Sequence, residues 1–140
     1  MDEYCADHGA RQVALDALLS ESEIISIHLP VTARTRLLFD APLLDRTREG
    51  VILVNMARGG IVDEHALKLR LKSGRISAAA FDVFAQEPPA DTELLNLPNM
   101  LATPHIGGSA DEAVLAMGRA AIAGLFNAGD PLDHVPGWAA

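Results

Sequence analysis

One stretch constrains the fold of this chain more than any other: Val51-Ile-Leu-Val-Asn-Met-Ala-Arg-Gly-Gly-Ile-Val-Asp-Glu-His-Ala-Leu67. It begins as an unbroken apolar run, Val51 to Val54, rich in β-branched side chains. Such a run, closed by polar residues and glycine, reads as a strand buried on both faces of a parallel sheet. Gly59-Gly60 then lets the backbone turn sharply or pass close to a ligand. Asp63 stands where it can cap the helix that opens next. Arg58 is thereby placed just past the carboxyl end of a buried strand, the edge at which open α/β sheets bind ligands. The bland alternative is a surface arginine in a strand-to-helix loop.

The rest of the chain repeats that logic. Glu23–Leu29 reads as a strand stopped by Pro30, Ile76–Phe84 as a third and Asn99–Thr103 as a fourth. A short edge strand is expected over Arg11–Ala14. Between these come helical patterns: Leu15–Ser20, the later part of Thr32–Asp45, Asp63–Lys72 closed by Ser73-Gly74, and a turn around Leu94, Leu95 and Leu97. A last helix is expected from Ser109, with Glu112 completing a capping box and Val114, Gly118, Ala121, Ile122 and Leu125 on its apolar face. It ends at Gly129, and Pro131–Ala140 reads as a loose tail. Strands alternating with helices give an α/β chain with a mainly parallel sheet.

Composition narrows the function. A chain of 140 residues, 49% hydrophobic, is long enough for one domain with one core. Its formal charge of −8 argues against nucleic-acid partners and against an anionic membrane surface. No apolar run approaches the ~18 residues of a membrane span, and the acidic N-terminus lacks a signal pattern. The single cysteine, Cys5, has no internal disulfide partner and fits a reducing cytoplasm. No metal site is expected.

In a parallel sheet the strand ends share one edge. That edge would gather His28-Leu29-Pro30, Asn55 to Gly60, Asp82 to Glu87 and Thr103 to Gly108. Taken singly, each polar residue has an ordinary reading. Asp82 can satisfy backbone amides, Glu87 before Pro88-Pro89 can be a solvated loop carboxylate, and His105 can be a packed histidine. His28 divides between loop packing and a ligand-side role, while His65 and His134 read as surface residues. The convergence favours a functional edge.

Three ordered motifs then become specific: Asn55-Met-Ala-Arg-Gly-Gly-Ile-Val-Asp-Glu-His-Ala-Leu67, Phe81-Asp-Val-Phe-Ala-Gln-Glu-Pro88 and Thr103-Pro-His-Ile-Gly-Gly108, with Ser26-Ile-His-Leu-Pro-Val-Thr32 before them. Together, over residues 15–128, they resemble the D-isomer-specific 2-hydroxyacid dehydrogenases. The resemblance implies a Rossmann-like three-layer parallel sheet, here partial, spanning residues 1–130 with 131–140 as tail. It implies oxidation of a D-2-hydroxy acid, or reduction of the 2-oxo acid, with NAD as cofactor. Arg58 would grip the substrate carboxylate, as a planar guanidinium can do bidentately. His105 would be the acid/base, and Glu87 would hold its ring. Leu29, Met56, Ala57, Arg58, Asp82, His105, Ile106, Gly107 and Gly108 would line the cofactor.

The chain departs from the family at one point. It contains no G-x-G-x-x-G, the loop that holds a dinucleotide pyrophosphate. That loop is expected upstream of residue 1, together with part of the substrate domain, so the chain is read as a fragment bearing the nicotinamide side of the site. The sequence separates neither NAD from NADP nor one 2-hydroxy acid from another. An uncovered sheet edge is expected to invite self-association. A non-catalytic nucleotide- or partner-binding module of the same fold, or a truncated remnant, remains the competing reading.

Overall fold

A computed structural model describes residue 5 and residues 7–126. The predicted helix end at Gly129, the tail 131–140 and His134 lie outside the described residues. The chain divides into two compact units, Met1–His105 and Ile106–Ala140.

The first unit holds the sheet. Strands β1 (Ile24–Ile27), β2 (Val51–Asn55), β3 (Ile76–Phe81) and β4 (Met100–Ala102) lie in the order β1-β2-β3-β4, and every pairing is parallel. Between them run α1 (Leu15–Glu21, before β1), α2 (Ala41–Asp45), α3 (Glu64–Ser73) and α4 (Thr92–Leu95). This is the α/β arrangement with a parallel sheet that the alternation of elements implied, and the Rossmann-like fold that the family resemblance implied.

Short polar side chains start the helices. Asp40, Asp63 and Asp91 accept N–H bonds from Leu43, Ala66 and Leu94 and so cap α2, α3 and α4. Gly74 ends α3 at φ 77°, a left-handed cap that costs glycine little. Arg70 forks onto both oxygens of Asp45, at 2.9 and 2.7 Å, tying α3 to α2.

Burial of the sheet is one-sided, which differs from the expectation of strands covered on both faces. In β2, Val51, Leu53 and Asn55 are buried while Ile52 and Val54 are half-buried; in β1, Ile25 and Ile27 are buried and Ile24 is 61% exposed. The strand order supplies the reason. Each strand follows its neighbour in one direction, and right-handed crossovers then put every connecting helix on the same face. That face carries the core, where Leu19, Leu44, Leu67, Leu71 and Leu94 meet Leu53, Ala79 and Phe81.

Residues 11–14 form no strand. A strand needs a ladder partner, and among the described residues β1 pairs only with β2. The third strand ends at Phe81, three residues short of the expected Phe84, because the chain turns away beyond Asp82.

In the second unit, α5 (Asp111–Phe126) begins two residues after the expected Ser109. Its apolar residues Val114, Ile122 and Leu125 are 54%, 58% and 78% exposed, and no residue of this helix is buried.

Candidate functional site

The carboxyl ends of the four parallel strands surround a cleft of about 790 Å³. Each strand contributes the residues just past its end. His28 to Val31 follow β1, Met56 to Gly59 follow β2, Phe84 and Glu87 follow β3, and His105 follows β4. The cleft therefore brings together Leu29, Met56, Ala57, Arg58, Glu87 and His105 from distant parts of the sequence. Asp82 lines a second cavity of about 220 Å³, which shares Phe84, Glu87 and His105 with the first. Ile106, Gly107 and Gly108 belong to the second unit. Among the described residues no cluster of His, Cys, Asp and Glu could hold a metal ion, and no helix is long and apolar enough to cross a membrane.

Where the two cavities meet, Glu87 Oε2 lies 2.8 Å from His105 Nδ1. The other carboxylate oxygen accepts the Phe84 N–H at 3.1 Å. Both bonds favour the charged carboxylate and hold Glu87 below the usual glutamate range, the His105 bond first. An Nδ1–H committed to a carboxylate fixes the tautomer and leaves Nε2 as the nitrogen that exchanges a proton with a bound molecule. His105 sits at φ 55°, a backbone region that a non-glycine residue occupies only at a cost of about 1–3 kcal/mol and one that clusters at active sites.

Arg58 is exposed in the cleft wall, with Nη1 donating to the Ala57 carbonyl at 2.7 Å. Its loop is shaped by Asn55, whose side chain is buried at the end of β2. Asn55 Nδ2 donates to the Arg58 carbonyl at 3.1 Å, and Asn55 Oδ1 accepts the Ala57 N–H at 3.2 Å. Sequence reasoning placed Asn55 in the motif but gave it no role. A buried amide has four hydrogen-bonding positions to satisfy, and one fully buried after an apolar strand is the signal that marks it.

Asp82 is 3% exposed and accepts the Thr103 hydroxyl at 2.5 Å, which joins the end of β3 to the end of β4. His28 bonds through Nε2 to Ser26 Oγ at 2.8 Å and sits in the wall of the main cleft.

Gly59 locks two of these loops together. A Cβ at this position would lie 1.8 Å from the Phe84 carbonyl oxygen and 2.6 Å from the Ala85 nitrogen. The backbone after β2 thus runs directly against the backbone that leads to Glu87. The first glycine of the pair serves this close approach; Gly60 supplies the turn, at φ 78°.

Residues 1–107 match the family model for the D-isomer specific 2-hydroxyacid dehydrogenase, NAD binding domain. The chain belongs to this family. It is 44% identical to the hydroxypyruvate reductase of Thermotoga maritima over 117 residues, 81% of this chain and 38% of that one. It is 46% identical to the D-3-phosphoglycerate dehydrogenase of Archaeoglobus fulgidus over 111 residues, 79% of this chain and 21% of that one. Among solved structures, a glyoxylate reductase from Paecilomyes thermophila superposes with a TM-score of 0.82 at 34% identity, covering 89% of this chain and 38% of that one. The chain thus spans less than two fifths of the length of these family members.

The residues present fit the nicotinamide end of the dinucleotide for which the family model is named. The cleft volume suits a small ligand. Exposed Leu29 and Met56 offer apolar walls for a flat ring, beside the polar pair and Arg58.

Proposed function

We propose that this chain carries the catalytic-residue half of an NAD-dependent dehydrogenase acting on the CH–OH group of a small D-2-hydroxy acid, or in reverse on the 2-oxo acid. The observation that carries this reading is the Glu87–His105 pair, bonded at 2.8 Å in the same cleft wall as Arg58. Arg58 binds the substrate carboxylate and draws electron density from the adjacent carbonyl. His105 Nε2 donates the proton to the oxygen as the ketone is reduced, or accepts the hydroxyl proton in oxidation. Glu87 holds Nδ1 and stabilises the imidazolium whenever the ring is protonated. The bound nicotinamide supplies or accepts the hydride.

Leu29, Met56, Ala57, Arg58, Asp82 and His105 hold the nicotinamide end of NAD or NADP. Residues 1–130 act as one nucleotide-binding part, and 131–140 as a tail. The protein works in the cytoplasm and associates with copies of itself through the open sheet edge. The chain by itself turns over 2-hydroxy acids poorly, because it contains no glycine loop to anchor the pyrophosphate.

The test is a graft. The chain replaces the matching 38% of the Thermotoga maritima hydroxypyruvate reductase. Oxidation of reduced nicotinamide is then followed with hydroxypyruvate, glyoxylate and other 2-oxo acids. The graft should be active, and His105→Ala should remove most of the activity. A graft that binds reduced nicotinamide tightly yet turns over no acid would instead mark the chain as a binding module.

A further inference from the structure

The loop between β3 and α4 carries Glu87, and three contacts at the Phe84–Ala85 backbone help to fix it. Two belong to the site already described: the backbone of Gly59 against Phe84, and Glu87 itself accepting the Phe84 N–H. The third comes from outside the cleft. Glu64, the first residue of α3, accepts the Ala85 N–H at 2.6 Å. Glu64 lines neither of the cavities that hold the pair. It nevertheless bonds the peptide adjoining Phe84, whose own N–H bonds Glu87.

We infer that Glu64 is a positioning residue: its carboxylate sets the Phe84–Ala85 peptide that aims Glu87 at His105. This rests on the reading of Glu87–His105 as the proton-transfer pair. The geometry favours a carboxylate at this position for two reasons. Position 64 lies in the first turn of α3, where the helix dipole favours negative charge. A charged acceptor also makes a shorter and stronger bond to a backbone N–H than a neutral one does.

The surroundings oppose the charge. Burial raises the Glu64 pKa, the Ala85 N–H lowers it, and Asp91 and Asp63 raise it further. A half-buried carboxylate flanked by two others has a specific partner to serve, and the partner here is Ala85. Facing Glu87 are His105, the Phe84 N–H and Asp82.

The experiment uses the 140-residue chain and two NMR readouts: hydrogen exchange of the Ala85 amide, and the carboxyl titration of Glu87. In Glu64→Ala the acceptor is gone. Exchange at Ala85 should accelerate about 10- to 100-fold, the factor carried by a hydrogen bond to a charged group. The Glu87 midpoint should also move up toward the ordinary glutamate range as its bond to His105 loosens. Glu64→Gln keeps an acceptor at the same reach without the charge and should fall between wild type and Glu64→Ala in both readouts. Glu64→Asp withdraws the carboxylate by one methylene and should behave as Glu64→Ala; it decides the matter if the alanine variant does not fold.

A Glu87 midpoint that stays in place while Ala85 exchange accelerates would overturn the proposal, since Glu64 would then hold a loop and not the pair. A Gln variant that behaves like Ala would overturn it too. Glu87 tracking Glu64 in a chain whose graft proves inactive would uphold the positioning role and reject the dehydrogenase reading alone.

Discussion

Gly59→Ala should damage both the stability of this fold and the geometry of its candidate site, although it adds a single methyl group. The added Cβ falls 1.8 Å from the Phe84 oxygen, 2.1 Å from the Phe84 carbonyl carbon and 2.6 Å from the Ala85 nitrogen. All three are backbone atoms, so no side chain can rotate away. Restoring a contact of 3.4 Å requires the two loops to part by about 1.6 Å. A separation of that size breaks the 2.6 Å bond from Ala85 to Glu64 and draws Glu87 off His105. Overpacking costs about 1–3 kcal/mol. A lost hydrogen bond to a charged acceptor adds about 1.5–3 kcal/mol. The total, about 2.5–6 kcal/mol, is a large part of the ~5–15 kcal/mol that holds a small domain together.

Urea unfolding followed by circular dichroism measures the effect. With a slope of about 1–3 kcal/mol/M, the midpoint should fall on the order of 2 M. The control is Gly74→Ala. Gly74 also sits at positive φ, 77°, but nothing lies within 4 Å of its Cβ position. It should cost only about 1–2 kcal/mol of backbone strain and leave the Glu87 titration untouched. A Gly59→Ala midpoint equal to wild type, with Glu87 still titrating low, would refute the reasoning that these loops are locked backbone to backbone.

Three further outcomes follow from the same geometry. Asn55→Ala removes both bonds that shape the Arg58 loop and leaves the Ala57 N–H and Arg58 carbonyl without their side-chain partner; urea unfolding should show a loss of about 2–3 kcal/mol. Arg58→Gln changes an exposed side chain whose described bond is to the neighbouring carbonyl, so stability should stay within about 0.5 kcal/mol of wild type, while grafts carrying it should lose oxo-acid turnover. The Glu87 pKa is lowered in the folded state, so its contribution is present above 4.5 and is lost as pH falls through the lowered value. His105→Ala removes the largest cause of that shift. It should therefore lower the urea midpoint at pH 7 more than at a pH below the lowered Glu87 value, and an equal drop at both pH values would contradict the pairing.

Much of this protein can be read from sequence because the determining interactions are local. Apolar runs such as Val51–Val54, helix caps at Asp63 and Gly74, and prolines that end strands act over a few residues. Together they dictated four strands and the helices between them. Parallel pairing follows from the length of the connections, and the shared edge of the sheet follows from parallel pairing. The motifs around Arg58, Glu87 and His105 marked the family for the same reason, since each is a compact string at one strand end.

Other features depended on what lies opposite in space. Whether Val51–Val54 is covered on one face or two depends on the side to which the crossovers pass, and the run itself looks the same in both cases. Residues 11–14 read as a short edge strand, but they have no ladder to join. Asn55 and Glu64 are unremarkable in the string, and Gly59 signals a turn or close approach without naming what it approaches. Their roles come from the Arg58 carbonyl, the Ala85 amide and the Phe84 backbone, and for the last two those partners lie 21 to 25 positions away. Sequence could nominate Glu87 and His105 as a pair, but only the folded sheet brings residues 18 apart to 2.8 Å. Hydrogen bonds and close contacts act over a few ångströms, and the tertiary fold alone decides which distant groups fall within that range.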